Sequence, residues 1–140
     1  GANQAVAAAR MGAQTTMVGR VGDDMFGPQL LAALESDGID VSGISVSPGV
    51  SSGIAVIDVD DSAQNRIIQI LGANDTCGSQ EARAVTRALV RASTVLLQLE
   101  VSVELSLQVA SDASSQGYLL ILSVILNCYF RCVSIPINEL

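Results

Sequence analysis

Two polar residues that lie far apart in the sequence, Asn3 and Glu100, have side chains suited to binding hydroxyl groups. The asparagine amide both donates and accepts hydrogen bonds, which matches a pair of neighbouring hydroxyls. An ionised glutamate accepts hydrogen bonds, and its charge strengthens those that hydroxyl donors make to it. If the fold brings these two side chains to one cleft, they form a site for a small ligand that carries several hydroxyls.

Asn3 precedes an alanine-rich run, Ala5 to Met11, that predicts a helix. A polar side chain at a helix start accepts hydrogen bonds from free backbone N–H groups, and this N-cap role is favoured about two to one over a ligand contact. The same helix end also offers N–H donors and a positive dipole to a polar ligand. The small residues Gly1 and Ala2 would let a ligand approach the backbone, so Gly1 is a further candidate contact.

Glu100 ends a short, nearly unbroken apolar run that begins at Thr94. Such a run is typical of a parallel strand that is buried on both faces. Ligands in open α/β sheets bind beyond the carboxyl ends of the strands, which is where Glu100 would lie. The alternative has equal weight on these grounds: an ordinary acidic residue that leads into the next helix, Val103 to Ala113.

The rest of the pattern alternates helices and strands, which is typical of an α/β fold. The acidic pair Asp23-Asp24 suits the start of a helix that carries Pro28 in its first turn. Two β-rich runs, Ser52–Val59 and Arg66–Leu71, flank turn residues and predict an antiparallel hairpin. We expect the remaining strands to form one mostly parallel sheet: Thr15–Val21, Thr94–Leu99 and Leu119–Leu126.

Composition excludes several classes of protein and site. The net charge of −7, with no lysine and no histidine, argues against a nucleic-acid binder, which would present a basic face. Without histidine the chain cannot build a Ser-His-Asp triad or a His-ligated metal site. The apolar stretch Tyr118 to Phe130 is too short to span a membrane. Three cysteines without CxxC spacing predict neither a disulfide framework nor a zinc site: Cys77, Cys128 and Cys132.

The opening segment resembles a known family. Gly1-x-Asn3-x-Ala5, followed by Gly12 and Gly22, is similar to the first signature of the ribokinase-like carbohydrate kinases, the phosphofructokinase-B family. Within that family the segment GANQAVAAARMGA, residues 1–13, most resembles the ribokinases. The likeness continues through the turn Gly72 to Asp75 and the strand end Leu97-Gln98-Leu99-Glu100, and it extends to about residue 116. We therefore expect one incomplete α/β kinase domain over residues 1–140, with a divergent tail at 117–140.

The resemblance implies a fold, a reaction and a set of contacts. The fold would be a Rossmann-like, mostly parallel sheet flanked by helices, with the hairpin contributing to a lid. The reaction would be transfer of the γ-phosphoryl group of ATP, with Mg²⁺, to the 5-hydroxyl of D-ribose. Gly1, Asn3 and Glu100 would contact the sugar, and Ala55 and Ile57 would lie on or near the inner surface of the lid. A homodimer through the lid and a cytoplasmic location are also implied, and an organellar targeting peptide stays open.

Parts of the family pattern have no match in this sequence. They include the Gly-Gly-Lys-like segment, the early sugar-contacting Asp, the ATP and monovalent-cation sites, and the late Gly-Ala-Gly-Asp whose Asp is the general base. We therefore assign no catalytic residue and expect the 140-residue chain alone to be inactive. Two alternatives remain: a kinase of the same family for another sugar or a nucleoside, and a non-catalytic α/β module that binds a partner or dimerises through the hairpin.

Overall fold

Helices and strands alternate along the chain in this computed structural model, which describes residues 1–123. A short 3-10 turn, Gly72–Thr76, lies between the fourth strand and the third helix. The helices are α1 Ala2–Arg10, α2 Phe26–Ser36, α3 Ser79–Leu89 and α4 Val103–Ser115. The strands are β1 Thr16–Gly22, β2 Asp40–Ser47, β3 Ile54–Val59, β4 Asn65–Ile70, β5 Thr94–Gln98 and β6 Leu119–Ser123.

The first half of the chain forms a parallel pair of strands covered by two helices. β1 and β2 run parallel, with Val21 opposite Val46. A small apolar core forms where α1 and α2 pack on these strands, around Ala5, Leu34 and Ile39, which are at most 8% exposed. No strand was predicted for the segment of β2, although its apolar and polar residues alternate. This alternation is the pattern of a strand with one covered face.

The expected single sheet is not what the described residues form. Within residues 1–123 the strands make three separate pairs: β1 with β2 and β5 with β6 in parallel, and β3 with β4 antiparallel. The expectation that β5 is buried on both faces is also wrong, since Leu96 is 43% exposed. The physical reason is that helices bury the faces of a parallel strand, and among the described residues α4 is the main helix that packs on β5.

The predicted hairpin is confirmed. β3 and β4 pair antiparallel in register, from Ile54 opposite Ile70 to Val59 opposite Asn65. The connecting turn is held by Asp60, whose carboxylate accepts hydrogen bonds from the N–H groups of Ser62 and Gln64, both at 2.9 Å. This is the local bonding for which aspartate is favoured in turns.

The predicted strand Leu119–Leu126 is observed as β6 up to Ser123. Its last three residues, the part of the expected divergent tail from residue 124 to 140, and Cys128 and Cys132 lie outside the described residues. Among residues 1–123 no helix is long and apolar enough to cross a bilayer.

Candidate functional site

The start of α1 meets the carboxyl end of β5. The backbone nitrogen of Gly1 donates a hydrogen bond to Oε2 of Glu100 at 3.3 Å, across 99 positions of sequence. The side-chain amide of Gln98, at the end of β5, donates to the side-chain oxygen of Gln4, which lies about one helical turn along α1 from Gly1. The fold thus brings together two of the predicted sugar contacts, Gly1 and Glu100. They meet beyond the carboxyl end of β5, where the position of Glu100 after an apolar run predicted a ligand site.

Asn3 does not cap the helix, so the favoured interpretation of this residue is wrong. α1 begins at Ala2 with Gly1 as its N-cap, and no side chain caps it. Asn3 therefore lies inside the first turn and not at the N-cap position, whose side chain would serve the free N–H groups. Asn3 is exposed, and its amide makes no hydrogen bond to another described residue. The amide is thus available to a ligand at this helix end.

Glu100 lies in a short turn that is fixed on its far side. The hydroxyl of Ser102 accepts from the N–H of Leu105 at 3.2 Å and so caps α4. The hydroxyl of Ser106, one turn into α4, donates to the carbonyl of Ser102 at 3.1 Å. The Glu100 side chain is 29% exposed, so its carboxylate is only partly covered. The short, capped turn holds this charge beside the start of α1.

The two predicted lid residues lie elsewhere. Ala55 lines an open, mostly apolar cavity of about 270 Å³ between α2 and the hairpin, together with Phe26, Leu30, Gly53 and Ile54. Neither Asn3 nor Glu100 lines this cavity. Ile57 is 60% exposed on the hairpin. The structure therefore joins Gly1 with Glu100 but does not join the lid residues to them.

Sequence reasoning missed a contact that organises the base of the hairpin. Asp24 accepts hydrogen bonds from both the N–H and the hydroxyl of Ser52, each at 2.8 Å. The hydroxyl of Ser52, followed by its N–H, holds the pKa of the Asp24 carboxyl below its usual range. The only signal in the sequence was the pair of polar residues Ser51-Ser52 directly before a β-rich run, and nothing there named a partner 28 positions away.

The described residues offer little for the phosphoryl-transfer step itself. No group of carboxylates or cysteines among residues 1–123 could hold a metal ion, so they do not fit the Mg²⁺ that the family resemblance implies. Burial, and then the nearby Glu81, raises the pKa of the Cys77 thiol to about 11, so this thiol stays protonated and is a poor nucleophile. The Arg20 guanidinium is engaged by Glu81 at 2.9 Å and by Gln80 at 2.9 Å, in a structural contact.

Comparison with known proteins agrees with this architecture. The family profile described as pfkB family carbohydrate kinase matches residues 1–129. The ribokinase of Schizosaccharomyces pombe is 36% identical over a comparison of 117 residues, and the match covers 79% of this chain and 37% of that protein. The deoxyribokinase of Salmonella typhi is 38% identical over 104 residues, which are 74% of this chain and 34% of that protein.

A solved structure extends the likeness to the fold. The Arabidopsis thaliana ribokinase complexed with ribose and ATP superposes with a TM-score of 0.73 at 30% identity, covering 87% of this chain and 40% of that one. The ribokinase-like α/β fold is thereby confirmed. This chain spans little more than a third of the length of the curated relatives it matches. On the match to residues 1–129, the chain belongs to the pfkB family of carbohydrate kinases.

Proposed function

We propose that this chain is the sugar-holding part of an ATP-dependent kinase that phosphorylates D-ribose at its 5-hydroxyl. The observation that carries the proposal is the contact between Gly1 and Glu100, which places a carboxylate at the helix start where the Asn3 amide is free. Supporting it, the Arabidopsis thaliana relative of the same fold is complexed with ribose and ATP.

Each polar group has a distinct part in holding the sugar. The carboxylate of Glu100 would accept hydrogen bonds from sugar hydroxyls, and its partial burial lowers the competition from water. The amide of Asn3 would donate to one hydroxyl and accept from its neighbour. The first N–H groups of α1 would add donors at the same place. Ala55 and Ile57 would cover the sugar from the hairpin side.

The chemistry would need groups beyond those in residues 1–123. ATP with Mg²⁺ would supply the phosphoryl group and the charge neutralisation that its transfer requires. Because the described residues offer no cluster for the metal, we assign them no catalytic step and propose that the 140-residue chain alone is inactive. A cytoplasmic location is part of the same proposal, because sugar phosphorylation consumes ATP.

The identity of the sugar has a second candidate. The relative that is 38% identical is a deoxyribokinase, so 2-deoxy-D-ribose fits this family sequence as well as ribose does. The two sugars differ by one hydroxyl, and a site built to bind that hydroxyl would reject the sugar lacking it, because a buried polar group would be left unpaired. Titration with ribose, 2-deoxyribose and a nucleoside would separate the candidates, and response to none of them would contradict a sugar site.

The sugar site is tested by two substitutions and a matched control. Asn3→Ala and Glu100→Gln should each weaken ribose binding by about 1–3 kcal/mol, since a polar partner is lost. Glu104→Gln removes the same charge from an exposed position four residues further on and should leave binding unchanged. Isothermal calorimetry would measure the affinities. Equal affinities in all four proteins would show that the sugar binds elsewhere.

A further inference from the structure

The β3–β4 hairpin is joined to the rest of the fold through its base. Its two strands hydrogen-bond to each other, and both are exposed along nearly their whole length. Ile57 and Ile68, on opposite faces, are 60% and 62% exposed. The direction in which the hairpin projects is therefore set by the segments that lead into it and out of it, residues 50–53 and 71–73, which we call the hairpin base.

Two residues of the hairpin base are fully enclosed, Ala73 and Ser52, and of these Ser52 carries the polar contacts. Ser52 is 1% exposed, and each of its polar groups except the carbonyl is used. Its N–H donates to Oδ2 of Asp24, and its hydroxyl donates to Oδ1 of Asp24, both at 2.8 Å. The same hydroxyl accepts from the N–H of Gly22, the last residue of β1, at 3.0 Å. A single carboxylate and a single serine thus connect the hairpin base to β1.

The Asp24 carboxylate also holds the start of α2. Its Oδ1 accepts from the N–H of Gly27 at 3.0 Å and from the N–H of Phe26 at 3.2 Å. Phe26 and Ala55 line the same open cavity, one from α2 and the other from β3. The two oxygens of Asp24 therefore position both walls of that cavity. Oδ2 accepts only from the hairpin base, whereas Oδ1 accepts from the hairpin base and from the start of α2.

The two ends of the hairpin base form a single packed unit. The N–H of Ala73 donates to the carbonyl of Ser51 at 2.8 Å. Glycine is required at Gly22 and Gly72, because a Cβ at either position would overlap the backbone of residues 50–52. The backbone of residues 50–52 therefore passes in close contact with Gly22 and Gly72, next to the bonds from Ser52 to Asp24. The hairpin base is thus packed closely against the end of β1. We call this attachment, through Ser52 and Asp24, the mount.

We propose that Asp24 is a positioning residue that fixes the hairpin to the body of the fold and so sets where Ala55 and Ile57 stand over a bound sugar. The first half of this proposal stands on the contacts above. The second half rests on the proposed function. Ala55 is three residues beyond Ser52, about 10 Å along an extended strand, so a small rotation at the base moves it relative to the body.

The substitution Asp24→Asn separates positioning from general stability. The asparagine oxygen can keep the Oδ1 role towards Ser52, Phe26 and Gly27, while its NH₂ group in place of Oδ2 cannot accept from the N–H of Ser52. Asp23→Asn is the matched control: it alters the adjacent carboxylate, which accepts from the N–H of Gly49 at 2.8 Å, outside the hairpin base. Ser52→Ala is a second probe of the mount that leaves Asp24 and the start of α2 intact.

The mount is tested on the 140-residue chain without sugar, by NMR residual dipolar couplings. In the wild type and in Asp23→Asn, the amides of β3 and β4 should fit the alignment tensor of β1 and β2. In Asp24→Asn and Ser52→Ala they should no longer fit it, while β1 and β2 keep their own couplings. Hairpin couplings that fit equally well in all four proteins would overturn the proposal. Should Asp24→Asn fail to fold, the couplings of Ser52→Ala decide.

The effect on the sugar is read by calorimetry with ribose. Asp24→Asn should weaken ribose binding roughly tenfold, as expected when one hydrogen bond no longer holds a ligand-covering element in place, and Asp23→Asn should not. If the wild type binds ribose and Asp24→Asn binds it with the same affinity, the positioning role of Asp24 is wrong. No ribose binding by the wild type would instead overturn the proposed function, and the dipolar couplings would still decide whether Asp24 fixes the hairpin.

Discussion

Glu100 is a residue with two partners, one in the fold and one in the proposed ligand. Its carboxylate accepts from the Gly1 backbone nitrogen at 3.3 Å, so a change at this position acts on the start of α1 as well as on a sugar. Glu100→Gln keeps the size and one acceptor oxygen, removes the charge and replaces the second oxygen by an NH₂ donor. It is therefore a sharper probe than truncation to alanine, which would also leave the Gly1 backbone nitrogen without its partner.

The lowered pKa of Asp24 indicates how the stability of the fold should depend on pH. The hydrogen bonds from Ser52 lower the pKa of Asp24 in the folded chain. Its stabilising contribution is therefore complete above the unfolded pKa of about 3.9 and is lost as the pH falls through the folded value. Urea unfolding followed by circular dichroism should show wild-type stability falling below about pH 4, and falling less in Asp24→Asn, which has no such group.

The control for this pH dependence comes from the other carboxyls. The pKa of Asp40 is lowered by the backbone and side chain of Ser42, and that of Asp60 by the side chain of Ser62, so both also contribute to the acid loss. Only the difference between the wild type and Asp24→Asn isolates Asp24. Parallel curves for these two proteins down to pH 3 would contradict its contribution.

Sequence patterns located Glu100 but misplaced Asn3, for different physical reasons. A strand end is marked by the change from apolar residues to a charge, and the structure has β5 end just before Glu100. A helix start is poorly marked in an alanine-rich segment, because alanine favours the helix at every position and lets it begin at Ala2. The bond between Asp24 and Ser52 had no local mark at all, since it joins residues 28 positions apart.

At the scale of elements, local patterns were reliable and strand neighbours were not. The hairpin was predicted because turn residues and β-branched runs are adjacent in the sequence, and its pairing is confirmed. The single sheet was wrong because strand neighbours are set by long-range packing, which periodicity does not report. β2 was missed although it is the partner of β1. The apolar and polar alternation of its segment was the available signal.

The hairpin has an apolar face for which we propose a second copy of this chain as partner. Ile54, Val56, Ile68 and Ile70 share one face of the hairpin, and three of them are at least 50% exposed: Val56, Ile68 and Ile70. The opposite face carries Ala55 and Ile57, which the proposed function assigns to the sugar. Burial of aliphatic surface of this kind against a like surface lowers the free energy and so stabilises a dimer.

The dimer is tested with adjacent residues on opposite faces. Ile68→Lys places a charge on the proposed interface and should convert a dimer to a monomer, because a buried unpaired charge is costly. Ile67→Lys places the same charge on the other face and should leave the dimer intact. Sedimentation velocity would give the masses. A monomeric wild type, or a dimer in both variants, would show that this face is not the interface.

At the scale of the whole molecule, a carbohydrate-kinase fold stands beside a shortage of groups for phosphoryl transfer among residues 1–123. The chain belongs to a family of carbohydrate kinases, yet it spans only 37% of the Schizosaccharomyces pombe ribokinase. Phosphoryl transfer needs a positioned metal and charge stabilisation at the γ-phosphate. The described residues include no carboxylate cluster that could hold such a metal. Binding of the sugar and transfer of the phosphoryl group should therefore separate experimentally.

A chimera makes this separation measurable. The 140-residue chain alone should release no ADP above background when given ATP, Mg²⁺ and ribose. The same chain, put in place of the matching segment of the Schizosaccharomyces pombe ribokinase, should restore ribose-dependent ADP release, since the partner sequence supplies groups that residues 1–123 do not offer. Glu100→Gln in the chimera should lower that rate, whereas Glu104→Gln should not.

The outcomes of this experiment distinguish the parts of the proposal. Robust turnover by the 140-residue chain would mean that it contains catalytic groups that the sequence and residues 1–123 do not reveal. A folded chimera that binds ATP but ignores ribose would mean that the edge formed by Gly1, Asn3 and Glu100 is not a ribose site. A chimera that prefers 2-deoxyribose would keep the site and change the substrate, because the proposed sugar contacts Gly1, Asn3 and Glu100 all come from this chain.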